Sequence, residues 1–205
     1  MRCLLLISCL LFLLGCTSIY KSLQPATGNV NDIQKFKPVF TTALYRTQVN
    51  VVGKYLSGLL MIKKMPDSSV RVIFSNEMGF KFFDFGFLND GGFKVHFVIN
   101  KMNKKAAIKM LRKDFELILM QALQTSNASI RKDDQYVYYI FRQSNGFNTY
   151  VINSAGNELI RMERSSKRKP VMEAIRKDAI NGLPDSIAVS HKNFNLTIAL
   201  KKLER

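Results

Sequence analysis

The chain of 205 residues has no tryptophan, only 5 prolines and 11 glycines, and 15 acidic residues against 31 basic ones. So little glycine and proline excludes a collagen-like or linker-like chain, and an apolar content of 47% excludes an intrinsically disordered one. A chain of this length forms one domain or two small ones, and it can bury a core without disulfides or metals. The net charge of +16 predicts an acidic partner, which the composition leaves open between nucleic acid, an anionic membrane surface and another acidic surface.

Cysteine is also scarce, and all three cysteines lie within the first sixteen residues. Arg2 is followed by an uncharged apolar run over residues 4–14, which is typical of a secretory signal and too short to span a bilayer as a helix. The run ends in Leu-Leu-Gly-Cys at residues 13–16, which resembles the lipobox of bacterial lipoproteins. We therefore expect residues 1–15 to be a signal peptide and Cys16 to be acylated.

An acylated Cys16 would make membrane lipid a partner of the protein, because two or more acyl chains give stable anchoring. Residue 17 is a threonine rather than an aspartate, which resembles the default sorting of bacterial lipoproteins to the outer membrane. We therefore expect the protein at the periplasmic face of the outer membrane. Export also makes nucleic acid an unexpected partner, and nothing in the sequence requires more than a monomer. Residues 17–43 are polar and lack hydrophobic periodicity, which predicts a lipidated, flexible tether over residues 16–43 and a folded domain over residues 44–205.

Short runs of β-branched and aromatic residues recur along the domain and are separated by turn residues, which predicts antiparallel hairpins. Several runs alternate, as where Val70, Val72 and Phe74 share one face, which is typical of a sheet with one buried face. The eleven predicted strands span residues 47–54, 55–63, 69–75, 80–87, 93–100, 136–142, 148–152, 158–164, 171–176, 186–190 and 196–203. The fold class is therefore mainly β.

Residues 103–123 are the exception, because this segment lacks glycine and proline and carries an apolar stripe at helical spacing. Asn103 is a candidate cap at its start. We expect one long central helix, packed on the concave face of an open antiparallel half-barrel of about eleven strands.

Residues suited to catalysis are few. His96 and His191 are the only histidines, and we expect both at the surface. No spacing of zinc ligands, glycine-rich phosphate loop or nucleophile elbow occurs, and no carboxylates pair as acid and base. We expect no enzyme activity, no metal and no cofactor. Ser186 follows an aspartate and precedes an isoleucine, which resembles an O-glycosylation acceptor and fits a turn before a strand equally well.

Basic residues concentrate at two places, the start of the predicted helix and the region around residue 167. The basic surface comprises Lys104, Lys105, Lys109, Arg112, Arg164, Lys167, Arg168 and Lys169. A solvated face explains it, and so does contact with anionic lipid headgroups, to which each lysine or arginine contributes about 1 kcal/mol.

The order of lipobox, polar tether, five strands, helix and six more strands resembles the LolA/LolB-like lipoprotein carriers. Residues 53–63 and 70–80 look like the first hairpins of that family. The resemblance implies an open half-barrel whose concave apolar face is covered by helices and accepts acyl chains. Its membrane-anchored member receives lipoproteins from a soluble carrier. This chain departs from that member in lacking tryptophan and in its high positive charge.

The resemblance, combined with the alternation of apolar residues, predicts a cavity for a lipid or lipoprotein acyl chain. Its expected lining is Leu60, Ile62, Val70, Val72, Phe74, Phe83, Phe85, Phe93, Val95 and Phe97, and its expected lid is Ile108, Leu111 and Phe115. A packed core explains the same residues without a ligand. The alternative function is an envelope assembly or docking module that uses the basic surface. A closed lipocalin-like barrel fits this order of elements less well, because the helix of such a barrel comes late in the chain and the helix predicted here is central.

Overall fold

Thirteen antiparallel strands form one open sheet in the computed structural model, which describes residues 19–204 apart from residues 122, 124 and 179–181. The strands are β1 (Gln24–Pro25), β2 (Thr42–Val51), β3 (Lys54–Lys64), β4 (Val70–Ser75), β5 (Lys81–Phe87), β6 (Phe93–Val98), β7 (Ala128–Lys132), β8 (Tyr136–Gln143), β9 (Gly146–Asn153), β10 (Leu159–Ser165), β11 (Pro170–Asp178), β12 (Pro184–His191) and β13 (Leu196–Lys202). Their order across the sheet is β1-β7-β8-β9-β10-β11-β12-β13-β2-β3-β4-β5-β6, so β1 and β6 are its edges.

The alternation of apolar and polar residues places one face of each central strand in the core. In β2, for example, Ala43, Tyr45 and Thr47 are buried, whereas Arg46 and Gln48 between and beside them are exposed. The mainly β class and the open antiparallel sheet are confirmed. The count of eleven strands is wrong, because β1 and β7 were not predicted. Both are short, and β7 carries two basic residues among five, so neither has a readable pattern.

The α-helix α1 spans Lys105–Ile118, which is shorter at both ends than the predicted 103–123. Asn103 does not cap it, because the N-cap is Lys104, and no side chain bonds there. Asn103 instead follows a 3₁₀ helix at Asn100–Met102. At the other end Met120 has a φ of 52°, which a continuing right-handed helix excludes. Two further 3₁₀ helices span Val30–Phe36 and Thr125–Asn127.

The sheet curves around α1, since the helix contacts strands that are far apart in the strand order. The ring of Phe115 lies 6.0 Å from Phe83 and 6.2 Å from Phe87, both in β5. Towards the other half of the sheet, the Tyr150 hydroxyl of β9 donates to the Leu117 carbonyl oxygen at 3.3 Å. Residues of both halves belong to one buried cluster with the helix. The second half of α1 therefore fills the concave face of the sheet.

The expectation of a flexible tether is wrong for residues 19–43, which pack against the sheet. β1 pairs with β7, and the 3₁₀ helix at Val30–Phe36 buries Ile33 completely. Tyr20 is 6% exposed and its ring lies 5.8 Å from that of Phe147. These scattered apolar residues fill gaps at the sheet without any period. Residues 1–18, which include the predicted signal peptide and Cys16, lie outside the described residues. Within the described part of the chain, every helix is too short or too polar to cross a membrane.

Candidate ligand-binding cleft

An open cleft of about 1200 Å³ lies between the first half of α1 and three turns of the sheet. The turns join β8 to β9, β10 to β11 and β12 to β13, and they contribute Ser144, Ser166 and Asn193 respectively. Because alternate turns of an antiparallel sheet fall at the same end, these three turns come together at one rim. Pockets for small ligands are about 300–1000 Å³, so the cleft has room for a ligand of lipid size.

Apolar side chains form much of the wall of this cleft. They come from α1, from β6, from β11 and from the strand ends and turns, and are Val51, Phe93, Ala106, Ala107, Ile108, Met110, Val171 and Phe194. Phe93 is held in place by edge-to-face contacts at 5.3 Å with both Phe85 and Phe87. Phe194 is 38% exposed and packs 4.8 Å from the His191 ring. An apolar wall of this kind can bury a hydrocarbon chain.

Cations outnumber acids around the cleft by five to one. The lining cations are Lys105, Lys109, Arg112, Lys113 and Arg164, and the lining acid is Glu116. Lys105 and Lys109 are four residues apart on α1, and Arg112 and Lys113 follow Lys109 by three and four residues, so these cations share a side of the helix. Burial lowers the pKa of Lys113 below its usual value, and the Arg164 charge lowers it further, while Glu116 acts in the opposite direction. The cleft is therefore electropositive in the absence of a ligand.

A buried polar cluster beneath the cleft ties α1 to two strands. Oδ1 of Asp114 accepts a hydrogen bond from Arg164 of β10 at 2.6 Å, and its Oδ2 lies 2.8 Å from Nε2 of His191 in β12. Asp114 is 2% exposed and the side chain of His191 is fully buried. The prediction of a surface histidine is therefore wrong for His191, because α1 and Phe194 cover it. His96 is exposed, as expected.

Buried polar atoms without a hydrogen-bond partner also gather at this cleft. Among the described residues, Asn148 Oδ1, Arg164 Nε and His191 Nδ1 are buried side-chain atoms without a hydrogen-bond partner, and all three belong to cleft-lining residues. A buried unpaired polar atom costs about 1–3 kcal/mol. Such atoms are rare in packed cores, so their concentration sets this wall apart from the rest of the interior.

Most of the predicted cavity lining faces inward but is packed as core. Leu60, Ile62, Val72, Phe74, Phe83 and Phe85 are each at most 3% exposed, so they line no open space. Val70 is half-buried against the same core. Phe93 alone of the ten predicted residues lines the cleft. The reason is that the second half of α1 fills the space that the prediction had assigned to a ligand.

Val95 and Phe97 depart from the predicted lining because β6 is irregular. Phe85 pairs with Val95 while Asp84 pairs with Phe97, so His96 is an extra residue in β6. This bulge turns Phe97 to the side of Asp84, and Val98 takes its place against the core. Phe97 is 42% exposed, and the Lys81 ammonium lies 5.8 Å from its ring. Val95 is 39% exposed at the edge of the sheet.

The predicted lid and basic surface divide between the cleft and its surroundings. Ile108 lines the cleft, whereas Leu111 and Phe115 belong to the core. Lys105, Lys109, Arg112 and Arg164 also line the cleft, and Lys104 is exposed beside it. Lys167, Arg168 and Lys169 are exposed in the turn between β10 and β11.

Of the remaining lining residues, Lys113 follows Lys109 by four residues in the basic first half of the predicted helix, whereas Asn148, Ser165 and Phe194 carry no sequence signal for this site. Two smaller depressions of about 350 and 430 Å³ lie elsewhere. The first is on the outer face of the sheet over Ala188 and Ala199, and it has no lining cation. The described residues include no cluster of three or more potential metal ligands.

Comparison with known proteins gives a likeness in fold alone. No protein-family model matches the sequence, and no curated protein sequence matches it either. A solved DUF1329 family protein from Desulfovibrio piger superposes with a TM-score of 0.47 at 10% identity, over 88% of this chain and 92% of that one. A putative outer membrane lipoprotein-sorting protein domain from Vibrio parahaemolyticus superposes with a TM-score of 0.51 at 8% identity, over 85% of this chain and 90% of that one. The resemblance to lipoprotein-sorting carriers that the sequence suggests is thus confirmed at the level of the fold.

Proposed function

We propose that this protein is a lipid-anchored envelope protein that binds an acyl chain of a lipid or lipoprotein in the cleft, without catalysing a reaction. The observation that carries this proposal is the open cleft of about 1200 Å³ with an apolar wall beside α1. The fold shared with a lipoprotein-sorting domain supports it. Burial of apolar ligand surface, at about 25 cal/mol per Å² before ordering costs, would be the driving force.

The anchor in this proposal is Cys16, in the periplasmic leaflet of the outer membrane. Tyr20 packs against Phe147 at the start of β9, on the face of the sheet opposite α1, so a lipid on Cys16 would hold the turn between β8 and β9, which borders the cleft, close to the membrane. Three residues span at most about 11 Å when fully extended, which is the greatest distance between Cys16 and residue 19. The protein would act as a monomer, without a cofactor or nucleic acid.

Photocrosslinking in cells tests acyl binding with the whole protein. Cells given a diazirine-labelled fatty acid incorporate it into their lipids, and irradiation should then label peptides that contain Ile108, Val171 or Phe194. Ile108→Asp should lower this labelling by about tenfold or more, because a charge in the apolar wall must lose its hydration when a chain binds. Labelling yields are measured by mass spectrometry of the purified protein.

Ile175→Asp is the matched control, since Ile175 is 45% exposed and lies away from the cleft. It should leave labelling of the cleft unchanged. Ile108→Trp provides a second variant, which fills the cleft without adding a charge and should also lower labelling. Thermal unfolding of each variant shows whether it is folded. Unlabelled cleft peptides in the folded wild-type protein would refute acyl binding.

A docking module remains the second candidate function, because Lys167, Arg168 and Lys169 are exposed in one turn outside the cleft. Reversing their charges should then abolish copurification of an acidic envelope partner and leave acyl labelling intact. If the same variant loses acyl labelling and nothing else, the turn serves lipid binding and the docking function is wrong.

A further inference from the structure

The charge around the cleft is poorly balanced by the protein itself. Glu116 accepts a hydrogen bond from Arg112 at 2.6 Å, and Asp114 beneath the wall is shared by Arg164 and His191. Lys109 and Lys113 form no ion pair within 4 Å among the residues that the structure describes. Three ammonium groups, those of Lys105, Lys109 and Lys113, and two guanidinium groups therefore line the cleft together with a single carboxylate.

This arrangement is unfavourable for the protein alone. Lys113 is partly buried and stands near Arg164, and both facts disfavour its charged form and lower its pKa. The buried Arg164 Nε also lacks a partner. Cations that are crowded together and partly desolvated are typical of sites that bind an anion. A bound anion offsets the repulsion between the cations and replaces their lost hydration.

The same cations border apolar surface, which distinguishes this site from one for a free anion. Ile108 lies one position from Lys109 on α1, and both line the cleft. The guanidinium of Arg112 lies 5.1 Å from the centre of the Phe93 ring, so one charged group stands directly over the apolar wall. A ligand that satisfies both surfaces needs a hydrocarbon chain and an anionic head within the span of one cleft.

We propose that the cleft binds an acyl lipid whose headgroup carries a phosphate, with the phosphate held by Lys109, Arg112, Lys113 and Arg164 and the chain against Ile108 and Phe93. Phosphate fits because its oxygens accept several charge-assisted hydrogen bonds, including paired ones from an arginine. This proposal rests on the proposed function, and it adds that the headgroup as well as the chain is recognised.

The test uses the full chain in nanodiscs of phosphatidylcholine and two photoreactive probes that differ in their heads, a diazirine dodecyl phosphate and the corresponding dodecanol. The phosphate probe should label cleft peptides about tenfold more than the alcohol at equal concentration. The double variant Lys109→Gln with Lys113→Gln should remove most of this preference and leave labelling by the alcohol unchanged. Loss of Lys113 should not unfold the protein, because Lys113 is only half-buried and forms no ion pair within 4 Å among the described residues.

A second double variant, Lys101→Gln with Lys104→Gln, is the matched control. It removes the same charge just before α1, from residues that do not line the cleft, and should keep the preference for the phosphate probe. If this control also loses the preference for the phosphate probe, the preference is due to net charge and the proposal is overturned. Equal labelling by both probes in the wild type would overturn headgroup recognition and leave acyl binding standing.

Two further outcomes distinguish failure of headgroup recognition from failure of acyl binding. If neither probe labels the cleft, both this proposal and the proposed function fail. Inorganic phosphate is added as a competitor, and it should displace the phosphate probe only weakly because it lacks the chain. Displacement by inorganic phosphate at the same concentration as the unlabelled dodecyl phosphate would mean that the site binds a free anion, which would overturn the proposed lipid ligand.

Discussion

Replacing Asp114 by alanine should lower the free energy of unfolding by about 3–5 kcal/mol, because it leaves a buried cation without its partner. Asp114 is 2% exposed and holds both Arg164 and His191. A typical domain is stable by only about 5–15 kcal/mol, so the variant should be close to unfolding. Urea denaturation followed by circular dichroism measures the change.

Glu116→Ala is the matched control, since it removes a carboxylate from the same helix. Glu116 pairs with Arg112 at the surface of α1, and exposed pairs four residues apart contribute only about 0.3–0.5 kcal/mol. Asp114→Asn should lie between the two variants, because the amide keeps a hydrogen-bond acceptor without the charge. Equal effects of Asp114→Ala and Glu116→Ala would show that the buried cluster does not hold the helix.

The cluster also connects stability to the site. Its two bonds fix α1 against β10 and β12, and these strands lead into two of the turns at the rim of the cleft. The distance between the helical cations and Arg164 is therefore set by a buried carboxylate rather than by mobile surface side chains. Moderate destabilisation by Asp114→Asn should accordingly be accompanied by weaker preference for the phosphate probe.

The sequence predicts the parts of this site that have a local pattern. Lys105, Lys109 and Arg112 follow a helical period, and the apolar stripe of α1 identifies the side that the sheet covers. Asp114 and His191 could not be paired in advance, because 77 residues separate them and neither stands in a motif. The cleft depends on such long-range contacts, so its position could not be derived from periodicity.

The predicted tether failed for a related reason. Tyr20 and Ile33 are scattered among polar residues, and neither a 3₁₀ helix of seven residues nor a strand of two shows the period of an α-helix or a long strand. Their burial is decided by gaps in the sheet that form elsewhere in the chain. Low hydrophobicity without a period was therefore compatible with a packed segment.

Strand alternation has a limit as well, because it assumes that no residue is inserted. Phe93, Val95, Phe97 and Ile99 occupy every second position, with Lys94 and His96 between the first three, and a regular strand would put them on one face. The bulge at His96 breaks this relation, so Phe97 and Phe85 lie on opposite faces although the pattern predicts the same face. Sequence alone does not show a bulge that depends on the neighbouring strand.

A pair of substitutions should make this difference measurable, because the two phenylalanines differ in burial. Phe85 is fully buried and stacks on Phe83 at 4.6 Å, so Phe85→Ala should cost about 3–5 kcal/mol of unfolding free energy, through lost apolar burial and the cavity that remains. Phe97→Ala should cost less than about 1 kcal/mol, since its ring is 42% exposed and loses mainly its contact with Lys81. Urea denaturation of both variants provides the comparison.

The bulge is tested further by Val98, which takes the inward position in place of Phe97. Val98→Ala should therefore cost more than Phe97→Ala, although it removes fewer carbon atoms. A regular β6 makes the opposite prediction, in which Phe97→Ala is as damaging as Phe85→Ala and Val98→Ala is nearly neutral. The order of the two values thus decides between an interrupted and a regular strand independently of their absolute size.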